Sequence, residues 1–69
     1  MSMNQFQNKT FGRTELAQQY FPRLTSDGAW HKLRGWLRIN PRLEHLYRLR
    51  RRTFTPAEVA LIFSELGEP

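Results

Sequence analysis

The chain has 69 residues, no cysteine, and 11 Lys or Arg against 6 Asp or Glu, for a net charge of +5. That length suits one domain near the lower limit for a self-sufficient core, and the lack of cysteine excludes a disulfide framework and a cysteine-ligated zinc site. The longest apolar run, Val59 to Phe63, is far short of the roughly 20 residues that a membrane-spanning helix needs, while a pI near 10.8 favours a polyanionic partner.

Met1 to Lys9 is polar and reads as a disordered N-terminus without the apolar region of a secretion signal. Nothing in it directs the chain out of the cytoplasm. Residues 10 to 69 read as a single helical domain. After an extended Thr10-Phe11, a first helix is expected from about Arg13 to Tyr20, with Gly12 as N-cap and Glu15 in the first turn, where the helix dipole favours an acid. Leu16, Ala17 and Tyr20 form its buried stripe. Phe21-Pro22 ends it, because proline lacks the N–H and restricts the residue before it.

Leu24 is expected to tuck inward as a staple, and Thr25 to cap a second helix from Ser26 to about Ile39 with Asp27 at its positive end. At 100° per residue, Ala29, Trp30, Leu33, Trp36 and Leu37 fall within an arc of about 120°, the width of a core-facing stripe. Both tryptophans are therefore expected in the core, Trp30 nearer its edge. His31, Arg34 and Arg38 share the neighbouring solvent face. Gly28 and Gly35 each weaken the helix by up to about 1 kcal/mol relative to alanine, so either packing holds it or another backbone approaches closely there.

Asn40-Pro41 has the form of an N-cap followed by proline at the first helical position, which predicts a third helix from about Pro41 to Leu49 with Leu43, Leu46 and Tyr47 inward. Arg50 to Phe54 has no helical stripe and ends in β-favouring residues, so it is expected to pair with Thr10-Phe11 as a short strand. Thr55-Pro56-Ala57-Glu58 is a capping box with proline at the first helical position, and it predicts a fourth helix running to Leu66 and stopped by Gly67. The apolar content of that helix covers more than one face. Either the helix is central to the monomer, or Leu61 and Phe63 form a contact between two copies.

The expected fold is thus all-α: a small, helix-turn-helix-like bundle of about four helices with a minimal two-stranded pairing. Charge is concentrated within it. From Trp30 to Arg52 there are eight cations against the single acid Glu44, a net of +7, while residues 1 to 29 sum to +1 and residues 53 to 69 to −3. A basic second helix after a turn closed by proline and a threonine cap is the layout in which that helix enters the major groove of DNA. On this reading His31, Arg34 and Arg38 reach base edges or phosphates, and Arg48, Arg50, Arg51 and Arg52 lie along the phosphate backbone. The competing reading keeps the basic face as solvated surface and makes the chain a protein-interaction or homodimerisation module. RNA or an anionic membrane surface satisfies the charge equally well.

His31 and His45 have no acid or cysteine at metal-ligand spacing and read as surface residues. No serine has a histidine at a recognisable offset, and no glycine-rich phosphate loop is present. The expectation is therefore a non-enzyme with no cofactor, metal or small-molecule substrate.

Several motifs resemble one family. Glu15-Leu16-Ala17 with Tyr20-Phe21-Pro22, then Leu33-Arg34-Gly35-Trp36-Leu37 and Asn40-Pro41, then Phe54-Thr55-Pro56 and Leu66-Gly67-Glu68-Pro69 match the pattern of the domain of unknown function 4248 family of small bacterial proteins. The resemblance covers about residues 11 to 69 and implies little about function. The compact Arg50 to Arg52 connection departs from the longer, glycine-containing one expected of that family, which argues against a flexible wing. The layout is also similar to MerR-type and excisionase-like winged helix-turn-helix domains, in which the second helix reads DNA and an arginine-bearing strand contacts the backbone. Here the stripe of Leu43, Leu46 and Tyr47 replaces the hairpin of such a wing.

Overall fold

The structure, a computed structural model, describes residues 10–69. The N-terminal stretch expected to be disordered lies outside the described residues. The order of elements is β1 (Phe11–Gly12), α1 (Arg13–Tyr20), α2 (Ser26–Ile39), α3 (Glu44–Tyr47), β2 (Thr53–Phe54) and α4 (Pro56–Leu66). This is a mostly helical small domain with a minimal antiparallel pairing, as the sequence leads one to expect.

Local chemistry sets most of the boundaries. At the start of α1 the Gly12 N–H donates to Glu15 Oε1 at 3.2 Å, and at its end the Phe21 N–H closes onto the Ala17 carbonyl. Thr25 caps α2 by accepting from the Gly28 N–H at 3.1 Å. Thr55 and Glu58 satisfy each other's backbone N–H at the head of α4, at 3.3 and 2.9 Å. Gly67 ends α4 with a φ of 87°, a conformation that strains any residue with a side chain.

The strand pairing matches Phe11 with Phe54 and Gly12 with Thr53, and the Arg13 N–H extends it by donating to the Arg52 carbonyl at 2.8 Å. So short a ladder is marginal alone. Here both of its phenylalanines are buried in the same core as Leu16, Leu33, Leu37, Leu43, Leu46, Val59, Ile62 and Phe63. The pairing closes the chain into one body, because it ties the start of α1 to the approach to α4.

Three expectations are corrected. The third helix spans only Glu44–Tyr47, not Pro41 to Leu49, because the Asn40 side chain accepts the Arg42 N–H at 2.9 Å and its carbonyl accepts that of Leu43. Asn40 thus folds Pro41–Leu43 into a turn, since a short polar side chain competes with helical hydrogen bonding. Leu24 is not a staple; it is 39% exposed, in a turn in which its N–H bonds the Phe21 carbonyl and its own carbonyl accepts from Gln18. The two tryptophans exchange roles as well. Trp36 is 37% exposed, while Trp30 is partly buried between Phe54 and the Arg13 guanidinium.

Candidate nucleic-acid interface

α2 buries Ala29, Leu33 and Leu37, so its opposite side is open to solvent. His31, Arg34 and Arg38 are exposed on one flank of that open side. Lys32, Trp36 and Ile39 occupy the other flank, at helical spacings of four and three. His45, on α3, is exposed too. Around Gly35, apart from its chain neighbours and its own helix backbone, no described residue would come within 4 Å of an added Cβ, so no such contact among the described residues requires the glycine. At Gly28, by contrast, the capping oxygen of Thr25 would stand only 3.2 Å from such a Cβ.

Short contacts hold two cations beside the basic flank, Arg13 and Arg34. The Arg52 carbonyl holds the Arg13 N–H, the Arg13 guanidinium lies 4.9 Å from the centre of the Trp30 ring, and Arg34 stands one helical turn beyond Trp30. The Arg34 guanidinium in turn lies 4.9 Å from the Tyr47 ring and donates to its hydroxyl at 3.5 Å. Stacking on aromatic rings orients a guanidinium without cancelling its charge.

The arginines after α3 fall into two sets. Arg48 is paired with Glu44 across one turn at 2.7 Å. Arg51 forms a two-pronged pair with Glu58 at 2.9 and 2.6 Å, and also donates to the Thr53 carbonyl. In both pairs the carboxylate bond raises the guanidinium pKa above its ordinary value. The Arg51 bond is also the largest cause of the lowered Glu58 pKa, against a smaller upward effect of burial. Arg34, Arg38, Arg50 and Arg52 make no ion pair with any described residue. The sequence marks Glu58 for the capping box but carries no sign of the Arg51 brace, because the partners are seven residues apart across a strand and a turn.

A second feature lies at the C-terminal end of α2. Trp36 meets Tyr20 and Phe21 edge-on, with ring centres 6.3 and 5.0 Å apart, so aromatic contacts fix its inner side. Its outer side forms a wall of an open groove of about 420 Å³, which Ile39, Pro41 and Leu66 also line. Asn40, Arg42 and Glu65 supply the polar lining. Glu65 accepts from Asn40 Nδ2 at 3.4 Å and lies 3.7 Å from Arg42 Nη1. Across the core, the Tyr20 hydroxyl donates to the Gly67 carbonyl, and burial, with a smaller effect of Glu68, pushes its pKa up to about 12.

The residues expected at a contact between copies are placed differently from an open patch. Phe63 is only 6% exposed and meets Tyr20 edge-on, and Leu61 is partly buried against the core. The outward positions of α4 are Ala57, Ala60 and Ser64. No helix among the described residues is long and apolar enough to cross a membrane.

No curated protein and no solved structure gives a significant match to the chain. One family description matches residues 7–69, which include every motif that carries the resemblance in the sequence, and the chain therefore belongs to the family described as Domain of unknown function (DUF4248).

Proposed function

We propose that this protein is a DNA-binding module that lays the basic flank of α2, with His31, Arg34 and Arg38, in the major groove, with Arg50 and Arg52 on the phosphate backbone. One observation carries the reading. Arg34, Arg38, Arg50 and Arg52 are exposed without carboxylate partners among the described residues, although acids elsewhere in the chain do pair with Arg48 and Arg51. Exposed guanidinium groups without carboxylate partners among the described residues, on a helix and an adjoining segment, are suited to phosphate oxygens and base edges. Arg48 and Arg51 contribute less on this reading, because their charges are already compensated. The alternative, a homodimer formed through α4, has less support, since Phe63 is buried and the outward positions of α4 carry small side chains.

Fluorescence-anisotropy titration of duplex DNA at two salt concentrations tests the proposal. Binding is expected to weaken steeply as salt rises. The Arg34→Ala, Arg38→Ala double variant is expected to keep its circular dichroism and to bind weakly, with a log-log salt slope shallower by about 0.9 for each phosphate it no longer neutralises. Absence of binding at low salt, or a double variant that binds as tightly as the parent, would refute it.

A further inference from the structure

We infer that the groove beside Trp36 receives an unpaired nucleobase, so that the DNA bound by this module includes a single-stranded stretch. The inference rests on the DNA-binding reading and adds the form of the nucleic acid. A tryptophan that served only as core would be covered, yet Trp36 is 37% exposed and the neighbouring Ile39 is 73% exposed. Its position is nonetheless fixed, because Tyr20 and Phe21 pack against it at steep ring angles while its exposed part lines the groove. An aromatic ring held in place with one free side is a stacking platform, and any base can use it because every base has a flat π-face.

The rest of the groove fits the same ligand. Its size of about 420 Å³ lies within the range of about 300–1,000 Å³ typical of small-molecule sites, which leaves room for one base. Asn40, Arg42 and Glu65 bring amide, guanidinium and carboxylate groups to its edge, the donor and acceptor types that recognise a base edge. Cations border the aromatic wall on both sides. The Lys32 ammonium lies 5.6 Å from the centre of the Phe21 ring, and Phe21 itself abuts Trp36; on the other side Arg42 is 77% exposed and holds Glu65 only at 3.7 Å. A strand that stacks one base on Trp36 can therefore place its flanking phosphates near Lys32 and Arg42. A purely apolar partner would leave these charges unused.

The test compares three probes of one sequence: a blunt duplex, the same duplex with a single-stranded overhang, and the single strand alone. The parent is expected to bind the overhang probe about tenfold more tightly than the blunt duplex, which is the scale of one stacked base, and also more tightly than the single strand alone, which offers no major groove to α2. Trp36→Ala is expected to abolish that preference and leave the blunt-duplex affinity unchanged, while Trp36→Phe retains part of it. Because Trp36 also packs on Tyr20 and Phe21, Ile39→Glu provides a check that leaves those rings alone: it puts an anion at the mouth of the groove and is expected to remove the same preference. Equal affinity of the parent for all three probes overturns the inference and leaves the DNA reading intact. Failure to bind any of them at low salt overturns both. A dimer in light scattering that Ile39→Glu dissociates would assign the groove to a second copy of the chain and so refute the base site.

Discussion

At the scale of single residues, Tyr20 joins two distant parts of the chain, since its hydroxyl reaches the Gly67 carbonyl just beyond α4. Burial, with a smaller effect of Glu68, raises its pKa from 10.0 to about 12. The fold therefore favours the protonated phenol. The associated stability is fully present below pH 10 and is lost as pH rises through about 12. Tyr20→Phe is expected to lose about 0.5–1.5 kcal/mol at neutral pH, and to show a smaller fall in stability than the parent over that alkaline range. Urea unfolding of both proteins from neutral to alkaline pH measures the difference. Spacing alone places Tyr20 on the buried stripe of α1, but its bond partner 47 positions away has no local signature. Trp36 illustrates the opposite failure. Helical spacing assigns it to the core, but the packing leaves it at the surface, where it lines a groove with Ile39, Pro41 and Leu66.

At the scale of elements, the segment from Arg50 to Glu58 shows how one side chain can serve two structures. The Glu58 carboxylate accepts from the Thr55 N–H as part of the cap of α4, and at the same time binds both arms of Arg51 just before β2. The bends before β2 are thereby fixed to the helix that follows. Thr55→Ala is expected to destabilise the fold by about 1 kcal/mol, the usual cost of removing a threonine cap, seen as a lower urea midpoint. The lowered Glu58 pKa gives a pH dependence of opposite sense to that of Tyr20. Its contribution is present above the ordinary carboxylate value of 4.5 and is lost as pH falls through the lower folded value, so Glu58→Gln should flatten the acid limb of the stability profile. The helix starts at Ser26 and Pro56 are legible in the sequence because their caps act over three residues. The third helix is not, because Asn40-Pro41 has the composition of a helix start and of an Asx turn alike, and only the bond of the Asn40 side chain to the Arg42 N–H decides between them.

At the scale of the whole molecule, one small core includes residues from every helix and from both strands. A domain of this size has little stability to spare. Leu33→Ala, at a fully buried position on α2, is expected to cost about 2–5 kcal/mol and to leave much of the protein unfolded at ambient temperature, as thermal circular dichroism would show. The sequence by itself determined the helical class, the extents of α1, α2 and α4, the strand pairing and the concentration of charge between Trp30 and Arg52. These follow from periodicity, caps, proline and composition, which act over a few residues. Only the tertiary structure decided which cations are paired within the chain, which tryptophan is left at the surface, and that Phe63 is buried rather than open to a partner. Each of those outcomes depends on how separate elements pack, and contacts between residues far apart in sequence leave no trace in local spacing.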